Sequence, residues 1–240
     1  MVRSDCRRRR LFTALLLLIP VMTGACEPVP TPVPHIGHQA SERVVAGSLH
    51  GRTGAYLLVR DAASRVEVRL ADLPGLLYRI STPAGSGLAP RVTGPTGRIR
   101  VGLQSTGEDG PDIVTILLNR SVRWDIRLPA GAGEQRLYLA EGSVTRLDLG
   151  SSGLLDITLP RPVGTVPVTL RGGVGSVSVL APRDAPVRFR LLGGAGSVDT
   201  PWTANNGTLV GGVLADPRWP AVTDRYAVYA RAGLGSLTLR

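Results

Sequence analysis

The segment GVGSV at residues 173–177 decides the fold, because it returns as GAGSV at residues 194–198 and as GLGSL at residues 233–237. Each copy leads into residues in which aliphatic and polar side chains alternate, which is the pattern of a half-buried β-strand. The copies start 21 and then 39 residues apart, so we expect the longer interval to hold about one further coil. Such a short unit cannot bury its apolar face alone, whereas stacked units share one continuous core.

The same alternation extends over the rest of the chain. It is clearest at Arg65–Leu70, Arg123–Leu128 and Val187–Leu191, and the 30 glycines and 19 prolines fall mostly between such runs. A second motif recurs together with the repeat, namely the Pro-Arg pairs at residues 160–161, 182–183 and 217–218. We therefore predict an all-β fold, built as a single elongated β-solenoid-like (β-helix-like) domain. A flat, double-layered stack of hairpins is the alternative.

The glycines of the repeat favour the solenoid, because they recur at the phase where tight corners are expected. Glycine tolerates both a positive φ and a close approach of neighbouring backbone. We expect Gly175 and Gly196 to lie at such corners with φ > 0.

The thrice-repeated Gly-x-Gly-Ser-aliphatic turn, the strand at Trp124–Pro129 and the aliphatic ladder resemble the bacterial toast-rack domain family, which is named for adhesins. The resemblance covers residues 122–240 well and residues 43–120 loosely. It implies an envelope-associated, β-solenoid-like protein, and it carries over no catalytic residues.

Residues 1–26 have the organisation of a bacterial lipoprotein signal. Arg7–Arg10 form a basic head, Leu11–Ala25 form an apolar run, and the small residues Thr23-Gly24-Ala25 precede Cys26. The run of 15 residues is shorter than the roughly 20 that a membrane-spanning helix needs. We predict a signal peptide at residues 1–25, lipid attachment at Cys26, and a lipid-anchored position at the extracytoplasmic face of the cell membrane. In the alternative, an ordinary signal peptidase leaves Cys26 as a free N-terminal thiol.

Behind the signal we expect three further regions. Residues 26–42 form a Pro-rich spacer, in which alternate prolines favour an extended chain. Residues 43–121 form an N-terminal β region, and residues 122–240 form the repetitive solenoid-like region. His35 and His38 of the spacer lack further ligands for a closed metal site, so we predict no metal and no cofactor.

The charge balance indicates anionic partners. The full chain has a formal net charge of +10, and without residues 1–25 it retains 23 basic and 17 acidic residues, a net charge of +6. Every basic residue is arginine. We expect association with the membrane through the lipid anchor, and with anionic cell-envelope polymers or another envelope protein. Nucleic acid is not an expected partner outside the cell.

The best local candidates for binding lie near residues 201–224. This stretch contains Trp202 and Trp219, whose rings would either stack on sugars or close the open end of the solenoid. Arg188 and Arg190 lie on the polar face of a predicted strand and are the candidate anion-binding residues.

The sequence favours binding over catalysis. His50 is the one histidine beyond the spacer and is expected in a turn, and no cysteine follows Cys26. Asp148 and Asp156, near arginines of adjacent units, are the candidates for paired carboxylates. We predict a surface-exposed lipoprotein with a non-catalytic, adhesin-like binding or scaffolding role. An enzyme that acts on an envelope polysaccharide through exposed Asp and Arg side chains is the alternative.

Overall fold

The computed structural model describes residues 41–95 and 97–240. The predicted signal peptide, Cys26 and the pair His35 and His38 lie outside the described residues. Within them, the structure contains strands and turns and no helix, so the all-β prediction is confirmed. No helix of this part of the chain is long and apolar enough to cross a membrane.

The strands are, in chain order, β1 (Arg43–Ser48), β2 (Gly54–Val59), β3 (Ala63–Ala71), β4 (Leu76–Thr82), β5 (Leu88–Thr93), β6 (Arg98–Ser105), β7 (Ile113–Asn119), β8 (Arg123–Leu128), β9 (Ala132–Tyr138), β10 (Ser143–Leu149), β11 (Ser152–Thr158), β12 (Thr165–Leu170), β13 (Val174–Leu180), β14 (Val187–Leu191), β15 (Ala195–Thr200), β16 (Thr203–Asn205), β17 (Gly212–Ala215), β18 (Arg225–Ala230) and β19 (Leu234–Leu239).

These strands form two sheets. The ten-stranded sheet has the order β1-β4-β7-β3-β9-β11-β13-β19-β15-β16, and the nine-stranded sheet has the order β17-β14-β18-β12-β10-β8-β2-β6-β5. All neighbours from β7 to β15 in the first sheet, and from β14 to β6 in the second, pair in parallel. Each coil contributes one strand to each sheet, as in the predicted β-solenoid.

Seven coils result, and their order in space differs from their order in sequence. The first coil, β2 and β3, lies between the coil of β6 and β7 and the coil of β8 and β9. At the other end, the last coil, β18 and β19, lies between the coil of β12 and β13 and the coil of β14 and β15. At both ends of the stack, therefore, some coils that are adjacent in space are not consecutive in the sequence.

The longer repeat interval does not contain an additional coil, so that expectation is wrong. Its residues form β16 and β17, which pair antiparallel to the outermost strands β15 and β14. The opposite end is covered in the same way by β4, β1 and β5. Antiparallel strands thus terminate each parallel stack, and β16 and β17, with three and four residues, offer little edge for pairing with other chains.

The core lies between the two sheets. Inward side chains alternate with outward ones, as in β8, where Trp124, Ile126 and Leu128 are buried. Trp124 is fully buried and donates its indole N–H to the carbonyl of Asn119 at 2.9 Å. Ten strands at about 4.8 Å spacing make a stack about 45 Å long, whereas a six-residue strand spans about 20 Å. This core runs from Leu57 to Leu239 and lies entirely within one compact unit, Gln39–Arg240.

The repeated glycines are required by close backbone approach, not by positive φ. Neither Gly175 nor Gly196 has a positive φ, so the corner prediction for these two residues is wrong. Both lie inside strands, and a Cβ added to Gly175 would lie 2.6 Å from the carbonyl oxygen of Gly153. A Cβ on Gly196 would lie equally close, 2.6 Å, to the carbonyl oxygen of Gly235. The glycines stack from coil to coil in the order Gly133, Gly153, Gly175, Gly235 and Gly196.

Candidate functional site

The outward surface of the nine-stranded sheet is strongly cationic, and we call it the basic face. Nine arginines of its strands point outward, against two carboxylates, Asp125 and Asp148. The arginines are Arg91, Arg98, Arg100, Arg123, Arg127, Arg146, Arg188, Arg190 and Arg225. Strand alternation and sheet pairing together collect on one surface charges that are scattered over the sequence.

The outward surface of the ten-stranded sheet has balanced charges, and we call it the neutral face. Four arginines and four carboxylates of its strands point outward. All four arginines form ion pairs: Arg65 and Arg136 with Glu134, Arg69 with Glu67, and Arg79 with Glu42. The hydrogen bond from Arg65 holds the pKa of Glu134 below its usual range.

Ion pairing is sparse on the basic face. Among its nine outward arginines, Arg127 alone has a carboxylate partner within the described residues, namely Asp125 at 2.8 Å. Hydrogen bonding to Asp125 raises the pKa of Arg127. Asp148, buried at the end of β10, accepts hydrogen bonds from Nε and Nη2 of Arg171, which lies just beyond β12, and these bonds raise the pKa of Arg171. Most guanidinium groups of the basic face are therefore available to an external anion.

A shallow trough of about 600 Å³ lies on the basic face, over β10, β12 and β18. Pro167 and Thr169 of β12 form its floor, and Thr169 lies between the longer side chains of Asp148 and Tyr229. Its rim consists of Arg146, Asp148, Arg171, Leu192, Tyr229 and Arg231. Arg146 and Arg231 form no ion pair within residues 41–95 and 97–240. The trough thus presents two unpaired guanidinium groups beside a phenol ring.

Trp219 lies at the end of the basic face, against the side chains of Arg188 and Arg225. The two guanidinium carbons lie 3.7 and 3.8 Å from its ring centroid. Because Arg225 lies diagonally across from Arg188 on the same surface, the indole is held between them. Its N–H is donated to the carbonyl of Tyr226 at 3.0 Å. Trp219 therefore orients two arginines, and its ring faces are not free to stack on a sugar.

Trp202 lies in a different environment from Trp219. It packs against the core and lines a cavity of about 280 Å³ together with Ala185, Val187 and Leu239. Its indole nitrogen is buried and has no hydrogen-bond partner within the described residues. Trp219 does not line this cavity, so the structure does not bring the two predicted tryptophans into one site.

The structure places Arg188 and Arg190 together on the outward side of β14. Arg190 is exposed and lies opposite Tyr229 of β18 and Val213 of β17. Arg188 is half-buried by its contact with Trp219. Both are part of the basic face, and the anion-binding role predicted for them remains a prediction.

The proposed carboxylate pair is not a pair in space. Asp148 belongs to β10 in the nine-stranded sheet and Asp156 to β11 in the ten-stranded sheet, so they face opposite sides of the domain. His50 lies in a turn, as predicted, with a positive φ of 47°. Over residues 41–95 and 97–240, no group of acidic, histidine and cysteine side chains is arranged to hold a metal ion.

Sequence reasoning missed the residues of the trough, Arg146, Arg171, Tyr229 and Arg231. Strand parity alone would have placed Arg146 and Tyr229 on the polar side of their strands. Their proximity depends on β18 lying beside β12, although 54 residues lie between the end of β12 and the start of β18 in the sequence. Nothing in the local sequence indicates that exchange of neighbours.

No family model matches this chain, and no curated protein matches it in sequence. A solved structure, a candidate cell adhesion protein from Clostridium sporogenes, shares the fold with a TM-score of 0.62 at 15% identity, over 83% of this chain and 99% of that chain. A candidate adhesin from Bacteroides fragilis aligns over 85% of this chain and 100% of that chain at 7% identity, with a TM-score of 0.26, too low to indicate a common fold. The similarity to the first protein agrees with the toast-rack resemblance at the level of the fold.

Proposed function

We propose that this protein is a surface-exposed bacterial lipoprotein with a non-catalytic, adhesin-like role, and that its basic face binds anionic polymers of the cell envelope. The observation that carries this proposal is the difference in ion pairing between the two faces. All four outward arginines of the neutral face are paired with carboxylates, whereas eight of nine on the basic face are not.

A linear polyanion fits the basic face better than a compact ligand does. Five of the seven parallel strands from β14 to β6 carry outward arginines, and these seven strands span about 29 Å at 4.8 Å per strand. Guanidinium groups form paired hydrogen bonds with phosphate oxygens, so a phosphodiester chain would find repeated partners along this surface. Each arginine near an anionic surface contributes on the order of 1 kcal/mol, and salt weakens that contribution.

The catalytic alternative has less support. Asp148 is the carboxylate of the trough, and both its oxygens accept hydrogen bonds from Arg171, so this carboxylate is already engaged within the protein. Asp156 faces the other side of the domain and cannot act with it. An adhesin-like role also agrees with the description of the solved protein that shares this fold.

The test compares two triple variants that change net charge equally. We would prepare the chain from Glu27 to Arg240, which contains the complete core, and measure its affinity for poly(glycerol phosphate) over a salt series. The basic-face variant carries Arg100→Ser, Arg146→Ser and Arg190→Ser. The matched control carries Arg69→Ser, Arg79→Ser and Arg136→Ser on the neutral face. Circular dichroism would confirm that both variants are folded.

We expect the basic-face variant to lose about 100-fold in affinity at low salt, since three arginines contribute about 3 kcal/mol in total. The neutral-face control should lose much less, because its arginines are already engaged by carboxylates. Equal losses in the two variants would show that only net charge matters and would contradict a dedicated face. Binding that is insensitive to salt would contradict the electrostatic mechanism itself.

A further inference from the structure

The exposed aliphatic side chains of the described residues are concentrated at one corner of the domain. Seven large hydrophobic residues are exposed in the described part of the chain, and four of them lie where β17 meets the outermost coil. We call these four, Leu192, Leu209, Val210 and Val213, the apolar tip. Leu209 and Val210 are 87% and 77% exposed, which is close to full exposure to solvent.

Backbone hydrogen bonds fix the turn that carries the apolar tip. The N–H of Gly211 is donated to the carbonyl of Leu191 at 2.9 Å, next to Leu192. The N–H of Thr208 is donated to the carbonyl of Ala195 at 2.8 Å. Gly211 has a φ of +79°, which allows the chain to turn sharply after Val210. Leu209 and Val210 therefore project from a braced turn.

Arginines border the apolar tip on the side of the basic face. Arg190 of β14 lies directly opposite Val213 of β17. Arg231 follows β18 and lines the trough together with Leu192. Residues 206–215 contain no charged side chain. The corner thus combines an exposed aliphatic end with neighbouring guanidinium groups.

We propose that the apolar tip inserts into the interfacial layer of a lipid bilayer that contains anionic headgroups. Leu209 and Val210 would enter the boundary between headgroups and acyl chains, and Arg190 and Arg231 would bind lipid phosphates. Backbone polar groups are costly in an apolar medium, and the N–H groups of Thr208, Gly211 and Gly212 already have protein acceptors. This contact is separate from the lipid anchor predicted at Cys26 and from polymer binding along the basic face.

A bilayer fits the apolar tip better than a protein partner does. Four aliphatic side chains offer much less than the roughly 800 Å² per partner of a stable protein interface. The four residues of the tip include no aromatic ring, whereas protein interfaces are enriched in aromatic anchors. A bilayer can surround the highly exposed side chains of Leu209 and Val210, and its anionic headgroups complement the neighbouring arginines.

The experiment uses the chain from Glu27 to Arg240, which contains no cysteine. Leu209→Cys therefore provides a unique position for an environment-sensitive fluorophore, and Val163→Cys, 80% exposed in the wild type, provides the control. Vesicles of equal parts phosphatidylcholine and phosphatidylglycerol should shift the emission to the blue at residue 209 and leave it unchanged at residue 163. Unshifted emission at residue 209 in the presence of bound vesicles would overturn the proposal.

Unlabelled variants separate this proposal from polymer binding. Leu209→Ser with Val210→Ser should reduce vesicle binding at least tenfold and leave the affinity for poly(glycerol phosphate) unchanged. Val163→Ser with Leu180→Ser, which removes two other exposed aliphatic side chains, should change neither. Undiminished vesicle binding by the tip variant would assign lipid binding to the basic face alone. A dimer of the wild type that the tip variant converts to a monomer, without lipid binding, would assign the tip to self-association.

Discussion

The stacked glycines are the residues on which the coil spacing depends most directly. In each Gly-x-Gly-Ser copy the second glycine lies within a strand, and the carbonyl of the glycine in the next coil occupies the position of its missing side chain. A side chain there would push adjacent coils apart and break the parallel hydrogen bonds on both sides. Other glycines serve a different purpose, since Gly164, with a φ of +71°, has open space around it.

These two uses of glycine can be separated by substitution. Gly175→Asn should lower the free energy of unfolding by about 2–4 kcal/mol, because its Cβ overlaps the Gly153 carbonyl. Gly164→Asn should cost less than about 1 kcal/mol, because asparagine tolerates a positive φ and no atom obstructs it. Urea denaturation of both variants measures the difference. Equal losses would contradict the close-approach explanation.

Asp216, which directly follows β17, is linked through Arg218 to the turn at Arg183. It is 5% exposed, and its carboxylate accepts hydrogen bonds from the backbone N–H of Arg218 at 2.8 Å and from the guanidinium of the same residue. Arg218 in turn donates to the carbonyl of Arg183 at 3.1 Å. These hydrogen bonds hold the pKa of Asp216 below its ordinary value of 3.8. Two Pro-Arg pairs of the repeat are thereby in direct contact.

The lowered pKa of Asp216 predicts how its contribution to stability varies with pH. A carboxyl group whose pKa is lower in the folded state stabilises the fold above its unfolded pKa and loses that effect as the pH falls through the folded pKa. Asp216→Asn should therefore destabilise the protein by about 1–3 kcal/mol at pH 7. The difference from wild type should shrink progressively below pH 3.8. Urea titrations of both proteins over this range would reveal a constant difference if the explanation is wrong.

At the scale of elements, the final coil has an unusual position. β18 and β19 are the last strands of the chain, yet each has a parallel partner on both sides. The outermost positions belong instead to β16 and β17, which are only three and four residues long.

This arrangement predicts the pattern of hydrogen exchange. The amides of β18 and β19 should exchange as slowly as those of the central strands β10 and β12, because their hydrogen bonds open only when both sheets separate. The amides of β16 and β17 should exchange fastest among the strands of this end. Exchange measured by mass spectrometry on the intact protein distinguishes the two sets. A frayed, fast-exchanging C-terminus, as is common for chain ends, would contradict the interior placement.

At the scale of the whole molecule, the fold separates charge between two broad surfaces. If the basic face binds anions as proposed, it would orient the domain relative to them, and a membrane tether would raise its local concentration at the envelope. The proposed role therefore depends on the predicted anchor as well as on the face. Cys26 and its surroundings lie outside the described residues, so lipidation stays a prediction.

Replacing the predicted acceptor tests the anchor. Cys26→Ser should convert a membrane-associated protein into one that is soluble or unprocessed, because the acyl chains can no longer be attached. Fractionation of the producing cells measures the distribution, and mass spectrometry of the mature wild type should detect the lipid. An unmodified wild-type protein released into the medium would contradict lipidation and favour cleavage by an ordinary signal peptidase.

The sequence alone determines the all-β class, the coil repeat and the strands, because alternation at Arg65–Leu70 or Arg123–Leu128 is a local property that each strand displays in full. It also marks Gly175 and Gly196 as structurally special. Only the tertiary structure shows why, since the obstructing carbonyls of Gly153 and Gly235 belong to other coils. The basic face, the trough and the separation of Asp148 from Asp156 likewise depend on which strands become neighbours. Parallel pairing joins residues distant in sequence, and the exchange of coils at both ends carries no local signal, so these features arise only when the sheets assemble.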